Sequence, residues 1–194
     1  RDLIVTGVQT CALPIFFGPD IQSELSKYIK SMLFSRPPII ELWTSQRQAL
    51  SLALNPKNNG AVINLKTSSG KTRVAELAIL QTLSNGSESK VLYLAPFRSL
   101  AFEIERTLSS VFSVLGYQVS HLYGGSRISS VDSDIISESN IIIATPEKAK
   151  ALFRASPGTY SDIKLIVIDE GHLIGPNERL VKNEIFIDHL RVFA

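Results

Sequence analysis

Short apolar runs alternate with stretches of helical periodicity along most of this chain, and that alternation limits its fold more than any other feature. The runs typical of buried strands are residues 61–65, 90–95, 117–123, 140–144 and 164–168, and the clearest helical stretches between them are residues 71–83, 98–115 and 146–154. Near-continuous apolar strands that alternate with helices are typical of a parallel sheet covered on both faces. The sequence therefore predicts an α/β domain, a mainly parallel sheet with helices on both faces.

Two more helices are predicted upstream of this alternating region. Residues 20–34 and 45–54 carry apolar side chains at helical spacing, and prolines follow both stretches. We expect the polar residues 128–139 to form a surface connection. Ligands of such sheets bind at the carboxyl ends of the strands, so the residues that follow each strand are the candidate site.

Length and composition favour one globular domain. At 194 residues with 44% apolar content, the chain has room for a full hydrophobic core. No apolar run reaches the roughly 18 residues that span a bilayer, so we expect no transmembrane helix. We also expect no membrane partner and a cytoplasmic location. The formal net charge of +2 is nearly neutral, so any nucleic acid must be held by a local cluster of donors. A single cysteine, Cys11, excludes a disulfide framework and a zinc site.

We interpret the first fifteen residues as non-native sequence. Residues 5–15 read VTGVQTCALPI, which resembles the in-frame translation of a common sequencing-library adapter; a genuine apolar N-terminal strand is the alternative. Non-native stretches are excluded from fold reasoning. We therefore expect the authentic segment to be residues 16–194, to contain no cysteine, and to be cut short at its C-terminal end.

A candidate phosphate-binding loop follows the first predicted strand. Residues 66–72 read KTSSGKT and lead into a helix, whose N-terminus adds partial positive charge. The small residues that would let backbone N–H groups surround phosphate oxygens are Thr67, Ser68, Ser69 and Gly70. Lys71 would reach the β- and γ-phosphates of ATP, and the Thr72 hydroxyl would bind Mg²⁺. Leu65 departs from the usual pattern, and a chance turn with a surface lysine is the alternative.

Acidic residues follow the last predicted strand, which leads into the sequence DEGH at residues 169–172. An aspartate at the end of a buried apolar strand is costly unless a cation pairs with it. Mg²⁺ bound to ATP meets that need, with Asp169 holding the ion directly or through water. Glu170 would then orient and deprotonate the attacking water. The alternative is an ordinary acidic turn, but phosphoryl transfer needs both a phosphate loop and a metal-bearing carboxylate, and both are present.

With these two elements in place, the chain resembles the superfamily-two DExH/DEAD-box helicases, in which DEGH is a DExH box. The resemblance covers roughly residues 35–190, and SSGKT, TPEK and DEGH together lean toward the superkiller-like branch. It implies a RecA-like fold, ATP and Mg²⁺ as cofactors, and a single strand of DNA or RNA as partner. It also implies a second RecA-like domain that supplies arginine fingers. Since we expect that domain to lie outside this chain, we expect weak nucleotide binding and no strand separation from the chain alone.

Three further strand ends match the nucleic-acid contacts of this family in the same order. They are the P-x-R-x-L segment, a glycine pair and the TPEK element, and the residues implied are Pro96, Arg98, Gly124, Gly125, Thr145 and Pro146. Such contacts are mainly to phosphate and sugar, so they position a strand without reading its sequence. Each has an alternative: the arginine could be a solvated residue at a helix start, the glycine pair a turn, and the threonine an N-cap before a proline.

The resemblance also assigns roles to two residues away from the strand ends. Gln46 falls where the family reads adenine, a task that suits a carboxamide because it offers both a donor and an acceptor; it could also be a polar position on an amphipathic helix. His172 would couple the nucleotide site to the nucleic-acid surface. Trp43 and Phe34 could stack near the adenine, although core packing is favoured for both. Three cations of one short helix could either contact phosphates or form a solvated face, and the sequence favours neither: Lys148, Lys150 and Arg154.

Two other function classes remain beside the helicase interpretation. Another P-loop enzyme, such as a nucleotide kinase, would need a lid and a phosphate-acceptor site. A non-catalytic module could have kept the fold and lost hydrolysis, but intact Lys71, Thr72, Asp169 and Glu170 speak against that.

Overall fold

The computed structural model describes residues 22–35, 41–55, 60–65, 70–86, 88–122, 124, 128–155, 161–170 and 185–186. The chain divides into two compact units, an N-terminal unit of Arg1–Ser87 and a C-terminal unit of Glu88–Ala194. Within the described ranges, no helix is both long and apolar enough to cross a bilayer. Residues 1–15, which we interpret as adapter-derived, lie outside the described residues.

The described part of the N-terminal unit is built from helices α1 (Gln22–Leu33), α2 (Thr44–Ala53) and α3 (Lys71–Ser84). Both α1 and α2 contact α3. The buried positions recur at helical spacing, as in Leu25, Tyr28 and Met32 of α1. All three predicted helices are confirmed, with ends shifted by one or two residues.

The prediction of a buried strand at residues 61–65 is wrong. The segment has no regular secondary structure, and the Val62 side chain is 96% exposed. An apolar run becomes a strand only when a neighbouring strand accepts and donates its backbone hydrogen bonds, and the described sheet pairs other segments. Local composition carries no information about that pairing.

The C-terminal unit contains a four-stranded parallel sheet. Its elements in chain order are β1 (Lys90–Leu94), α4 (Arg98–Phe112) with a 3₁₀ turn at Ser113–Leu115, β2 (Val119–His121), α5 (Ser130–Glu138), β3 (Ile141–Ala144), α6 (Pro146–Ala155) and β4 (Ile163–Ile168). The strand order is β2-β3-β1-β4. This confirms the parallel α/β architecture, because parallel neighbours require the helical crossovers that the sequence pattern predicted.

Helices pack on both faces of this sheet around β3. One face presents side chains such as Leu92 and Ile142, which pack in a single buried cluster with Ile136 of α5 and Leu152 of α6. Helix α4 contacts β2 and β3, and on the other face His121 meets the Phe102 ring of α4 edge-on at 6.1 Å between centroids. Strands covered on both faces can be apolar throughout, which explains the near-continuous runs in the sequence. The prediction that residues 164–168 form a buried strand is wrong as to burial, because β4 lies at one end of the described strand order and its residues are half-buried or exposed.

Helix α5 replaces the predicted surface connection at residues 128–139. Its start is a capping box: the Ser129 backbone N–H donates to the Asp132 carboxylate at 2.6 Å, and the Asp132 N–H donates to the Ser129 hydroxyl at 3.3 Å. Ile136 faces the core with 5% of its surface exposed. The Ser and Asp residues that suggested a loop are therefore helix-start signals.

Candidate functional site

The candidate site of the C-terminal unit is the edge of the sheet where its parallel strands end. We call it the carboxyl edge, and its described members are residues 95–98 after β1, 122 and 124 after β2, 145–146 after β3 and 169–170 after β4. Hydrogen bonds hold the ends in register, with 3.0 Å from Ala95 N to Ala144 O and 3.0 Å from Asp169 N to Leu94 O. The strand order therefore places the glycine, threonine, P-x-R-x-L and acidic elements side by side in that sequence.

Asp169 and Glu170 lie directly after β4. The Tyr93 hydroxyl donates to Asp169 Oδ2 at 3.0 Å, and the Glu170 backbone N–H donates to Asp169 Oδ1 at 2.9 Å. Each carboxylate oxygen is held by one donor and keeps a lone pair that can face a cation. Glu170 has a φ of +50°, a left-handed conformation that is uncommon for a residue with a side chain and recurs at functional sites.

Sequence reasoning did not identify Tyr93 as a site residue. It lies between two leucines of β1 and is only 2% exposed. The available signal was the phenol itself, because a buried tyrosine hydroxyl needs a hydrogen-bond partner. Its partner is the carboxylate that the DExH box supplies on the adjacent strand, β4.

The P-x-R-x-L segment begins α4 at the end of β1. Arg98 is exposed and is the first residue of that helix, while Pro96 is half-buried. Thr145 is the N-cap of α6, since its hydroxyl accepts from the Lys148 N–H at 3.4 Å and its carbonyl accepts from the Ala149 N–H at 2.9 Å. The cap interpretation of Thr145 is thus confirmed, and its phosphate contact stays a prediction.

Lys148 forms a buried ion pair, which neither of the two sequence interpretations foresaw. Its ammonium donates to Asp132 Oδ2 at 2.8 Å, with the two side chains 3% and 4% exposed. Burial opposes ionisation of Asp132, but hydrogen bonds from Lys148 and Ser129 outweigh it and hold the pKa of this aspartate below its ordinary value. This pair ties the start of α5 to the start of α6 just behind Thr145.

The other two cations of α6 differ from Lys148. Arg154 is exposed, and the Lys150 ammonium lies 5.6 Å from the centroid of the Phe186 ring. Gly124 has a φ of +85° and an added Cβ would meet no atom within 4 Å, so its backbone is open to a close approach. Its neighbour Gly125 lies outside the described residues.

The N-terminal unit carries the end of the phosphate-binding sequence. Gly70 is the N-cap of α3 with a φ of +72° and a ψ of +38°, and Lys71 and Thr72 form the first turn of this 14-residue helix. No acidic residue lies in that turn, so nothing on the helix itself offsets its positive N-terminal dipole. Thr67, Ser68 and Ser69 lie outside the described residues, as does His172.

Gln46 holds Gly70 in place. Its Nε2 donates to the Gly70 carbonyl at 3.2 Å and its Oε1 accepts from the Trp43 N–H at 2.9 Å, with 7% of the residue exposed. A Cβ on Gly70 would lie 2.0 Å from Gln46 Nε2, so a side chain at this position would require the amide to move. The reading of adenine by Gln46 stays a prediction, and the two backbone contacts are a role that sequence reasoning missed.

The prediction that Trp43 and Phe34 pack in the core is wrong. Trp43 is 56% exposed and Phe34 is 84% exposed. Both lie just outside a helix, Trp43 before α2 and Phe34 after α1, where a side chain no longer follows the buried stripe of the helix. Trp43 uses its backbone N–H to hold Gln46.

A buried polar network lies behind the first turn of α3. The Tyr28 hydroxyl donates to Glu76 Oε2 at 2.7 Å, and Arg73 donates to both of these residues. Burial, followed by the charge of Glu76, raises the pKa of Tyr28 well above its ordinary value, and burial also raises the pKa of Glu76 despite the Arg73 guanidinium. The network fixes α1 against the helix that carries Lys71.

The described residues fit ATP and Mg²⁺ by their donor chemistry. A left-handed glycine at a helix N-terminus lets backbone approach phosphate, and a lysine and a threonine hydroxyl follow it. The carboxylate of Asp169 is the hard oxygen ligand that Mg²⁺ prefers, and Mg²⁺ needs only one or two such protein ligands when it arrives on a nucleotide. The assignment of phosphate contacts to Gly70, Lys71 and Thr72, and of metal contacts to Thr72 and Asp169, stays a prediction.

Comparison with known proteins agrees with these motifs. The family model for DEAD/DEAH box helicases matches residues 43–192. The Hachiman protein HamB of Bacillus cereus is 45% identical over 179 residues, which cover 92% of this chain and 16% of that protein. The ATP-dependent DNA helicase Hel308 of Methanocaldococcus jannaschii is 31% identical over 159 residues, which cover 80% of this chain and 13% of that helicase. The chain thus spans less than a fifth of the length of these relatives.

Solved structures show the same fold. The DUF1998 helicase MrfA superposes with a TM-score of 0.69 and 24% identity, covering 86% of this chain and 27% of that one. A hypothetical ATP-dependent RNA helicase from Sulfolobus tokodaii superposes with a TM-score of 0.65 and 22% identity, covering 86% of this chain and 45% of that one. Together with the parallel sheet, these neighbours confirm the RecA-like α/β fold. On the match of its family model over residues 43–192, the chain belongs to the DEAD/DEAH box helicase family.

Proposed function

We propose that this chain is the first RecA-like domain of an ATP-driven motor that moves on a single strand of nucleic acid. The observation that carries the proposal is that two sets of candidate residues lie together at the carboxyl edge. The carboxylates expected to act in ATP hydrolysis follow β4, and the residues expected to contact the strand follow β1, β2 and β3 of the same sheet. A change at Asp169 can therefore reach the strand contacts through the backbone ladder that joins the strand ends.

On the nucleotide side, Lys71 binds the β- and γ-phosphates, and Thr72 and Asp169 hold Mg²⁺, the latter directly or through water. Bound Mg²⁺ neutralises the charge that develops on the phosphates. Glu170 orients the attacking water and accepts its proton, and Tyr93 fixes the rotamer of the neighbouring Asp169 by its hydrogen bond.

The remaining nucleotide contacts are proposed from the sequence. The backbone of Thr67, Ser68, Ser69 and Gly70 surrounds the phosphates, and Gln46 reads adenine. The Oε1 and Nε2 atoms of Gln46 each bind one backbone group already. Adenine would therefore bind the second N–H and the second lone pair of the Gln46 amide. His172 couples the nucleotide site to the strand.

On the nucleic-acid side, Arg98 pairs with a phosphate beside Pro96. The Gly124-Gly125 pair admits the sugar-phosphate chain, and the Thr145 hydroxyl, at the N-terminus of α6 beside Pro146, contacts the next phosphate. All of these contacts are to the backbone of the strand, so binding does not depend on sequence. The solved neighbour MrfA has a structure bound to DNA, which supports a nucleic-acid partner and leaves DNA and RNA both open for this chain.

The complete motor needs a second RecA-like domain that closes the ATP site and supplies arginine fingers. The relatives are about six times longer than this chain, which leaves room for such a domain. We propose a cytoplasmic location for the whole protein, and the superkiller-like branch remains our prediction for its subfamily.

The test is ATP turnover of the full-length protein with and without single-stranded nucleic acid. Glu170→Gln keeps the size and polarity of the side chain but cannot accept a proton, so we expect strand-stimulated turnover to fall at least about 100-fold, the lower range of general-base effects. Magnesium-ATP affinity should stay unchanged. Glu138→Gln, at the far end of α5, is the matched control and should behave like the wild type.

Two results would refute the proposal. Turnover that no strand stimulates would favour a nucleotide kinase or another P-loop enzyme. Turnover that is negligible in the wild type and unaltered by Glu170→Gln would favour a binding module that has lost hydrolysis.

A further inference from the structure

Phe97 presents an aromatic ring to solvent at the carboxyl edge. The five residues of the chain that precede Pro96 are all buried, with Val91 and Ala95 fully covered, whereas Phe97 is 52% exposed. The chain therefore passes from the core to an open aromatic ring within two residues. Single exposed apolar side chains are common on protein surfaces and need no special explanation. Phe97 is singled out by its position between Pro96 and Arg98 at the carboxyl edge.

Neither burial nor helix capping explains this phenylalanine. Phe97 is the N-cap of α4, with an extended backbone at φ −135° and ψ +151°, and its side chain makes no capping hydrogen bond. Ser, Thr, Asp and Asn stabilise that position because their oxygens accept from the first turn, which a phenyl ring cannot do. A residue that breaks a local rule without a structural gain is expected where function requires it.

The backbone around Phe97 is firmly held. Its carbonyl accepts from the Ala101 N–H at 2.9 Å, and two residues earlier the Ala95 N–H donates to the Ala144 carbonyl on β3 at 3.0 Å. Arg98, the next residue, is exposed as well. An aromatic ring on a held backbone, next to a cation, is the combination with which proteins bind single strands, the ring stacking on a base and the cation pairing with a phosphate.

We propose that Phe97 is a stacking platform for one base of the strand, a contact that rests on the proposed path of the strand across Arg98. Stacking tolerates every base because each has a π-face, so it adds affinity without adding sequence preference. The strand is then held at one nucleotide by two neighbouring residues of different chemistry, with its phosphate on Arg98 and its base on Phe97.

Binding of two oligonucleotides tests this directly. One is single-stranded oligothymidylate and the other has the same length but lacks the bases of its central nucleotides. Loss of one base–aromatic stack weakens binding by roughly 5- to 150-fold, so Phe97→Ala should bind oligothymidylate at least about fivefold more weakly than the wild type. Phe97→Ala should also bind the two oligonucleotides with similar affinity, whereas the wild type should bind the strand with bases more tightly than the abasic strand. Val114→Ala, which truncates a 67%-exposed side chain beyond the other end of α4, is the matched control and should change neither affinity.

A tryptophan reporter gives a second measurement. The chain has one tryptophan, Trp43, so Phe97→Trp in a Trp43→Phe background leaves a single indole at the carboxyl edge. Stacking predicts that oligothymidylate quenches its fluorescence, that the abasic strand quenches it much less, and that this variant keeps wild-type affinity.

The outcomes separate this inference from the function on which it rests. If Arg98→Ala weakens strand binding while Phe97→Ala binds both oligonucleotides like the wild type, the stacking platform is refuted and the motor proposal stands. If the wild type binds neither these strands nor oligouridylate of the same length, both proposals are overturned.

Discussion

Replacing Gly70 by alanine tests whether the start of α3 is built around a contact with Gln46. At φ +72° the backbone of Gly70 is left-handed, and a Cβ there would lie 2.0 Å from Gln46 Nε2. Gly116 offers a matched control, because it has a φ of +89° but an added Cβ would meet nothing within 4 Å. The two substitutions therefore share the backbone strain and differ in the clash.

The magnitudes follow from these two terms. A side chain in the left-handed region costs about 1–2 kcal/mol, which is the whole expected effect of Gly116→Ala. At Gly70 the Gln46 amide must also move, which breaks its 3.2 Å hydrogen bond to the Gly70 carbonyl and leaves a buried polar group unsatisfied. That adds about 1–3 kcal/mol, so Gly70→Ala should lower the free energy of unfolding by about 2–5 kcal/mol.

The assay is a double-mutant cycle by urea unfolding. In a Gln46→Ala background the obstructing amide is gone, so the cost of Gly70→Ala should fall to the strain term of about 1–2 kcal/mol. Costs that add fully in the double variant, or a Gly70→Ala cost no larger than that of Gly116→Ala, would refute the argument.

Three further substitutions test the contacts that only the structure revealed. Lys148→Met leaves the Asp132 carboxylate buried without its cationic partner, which should cost about 3–5 kcal/mol of unfolding free energy. In the wild type, the stabilisation by Asp132 should be complete above the ordinary aspartate pKa of about 3.9 and should be lost as the pH falls through the lowered pKa of the folded state. Unfolding measured against pH should show this loss in the wild type and not in the variant. Tyr93→Phe removes the donor to Asp169, so kcat for ATP should fall several-fold with little change in the ATP KM; an unchanged kcat would deny the hydroxyl a positioning role. Tyr28→Phe removes a buried donor from the network behind α3 and should cost about 1–3 kcal/mol by urea unfolding, whereas a cost near zero would contradict the network.

Most of the fold could be predicted because its signals are local. The strands β1, β3 and β4 are almost entirely apolar, and the helices show clear periodicity, so both were placed within a few residues. Residues 61–65 failed because pairing with another strand, which local sequence does not encode, decides whether an apolar run becomes a strand. Helix α5 was missed because its Ser and Asp residues suit both a loop and a helix start. The three-residue spacing of Ser129 and Asp132, which is that of a capping box, is the signal that favours the helix.

The candidate site shows the same difference between local signals and long-range contacts. Motifs predicted that Gly70 precedes a helix and that Asp169 and Glu170 follow a strand, because backbone geometry and charge impose residue types at fixed spacing. The side chains that hold those motifs could not be predicted, since each pairing joins distant parts of the chain. Tyr93 and Asp169, for example, are 76 residues apart and meet only because β1 and β4 are neighbours in the sheet.

The central claim is that Lys71 and Asp169 act on one magnesium-bound ATP. Nucleotide affinity measured with and without Mg²⁺ tests it most directly. The account predicts that Asp169→Asn weakens binding of magnesium-ATP but does not weaken binding of metal-free ATP, while Lys71→Ala weakens both. Asp169→Asn protein that binds magnesium-ATP as tightly as the wild type would contradict it.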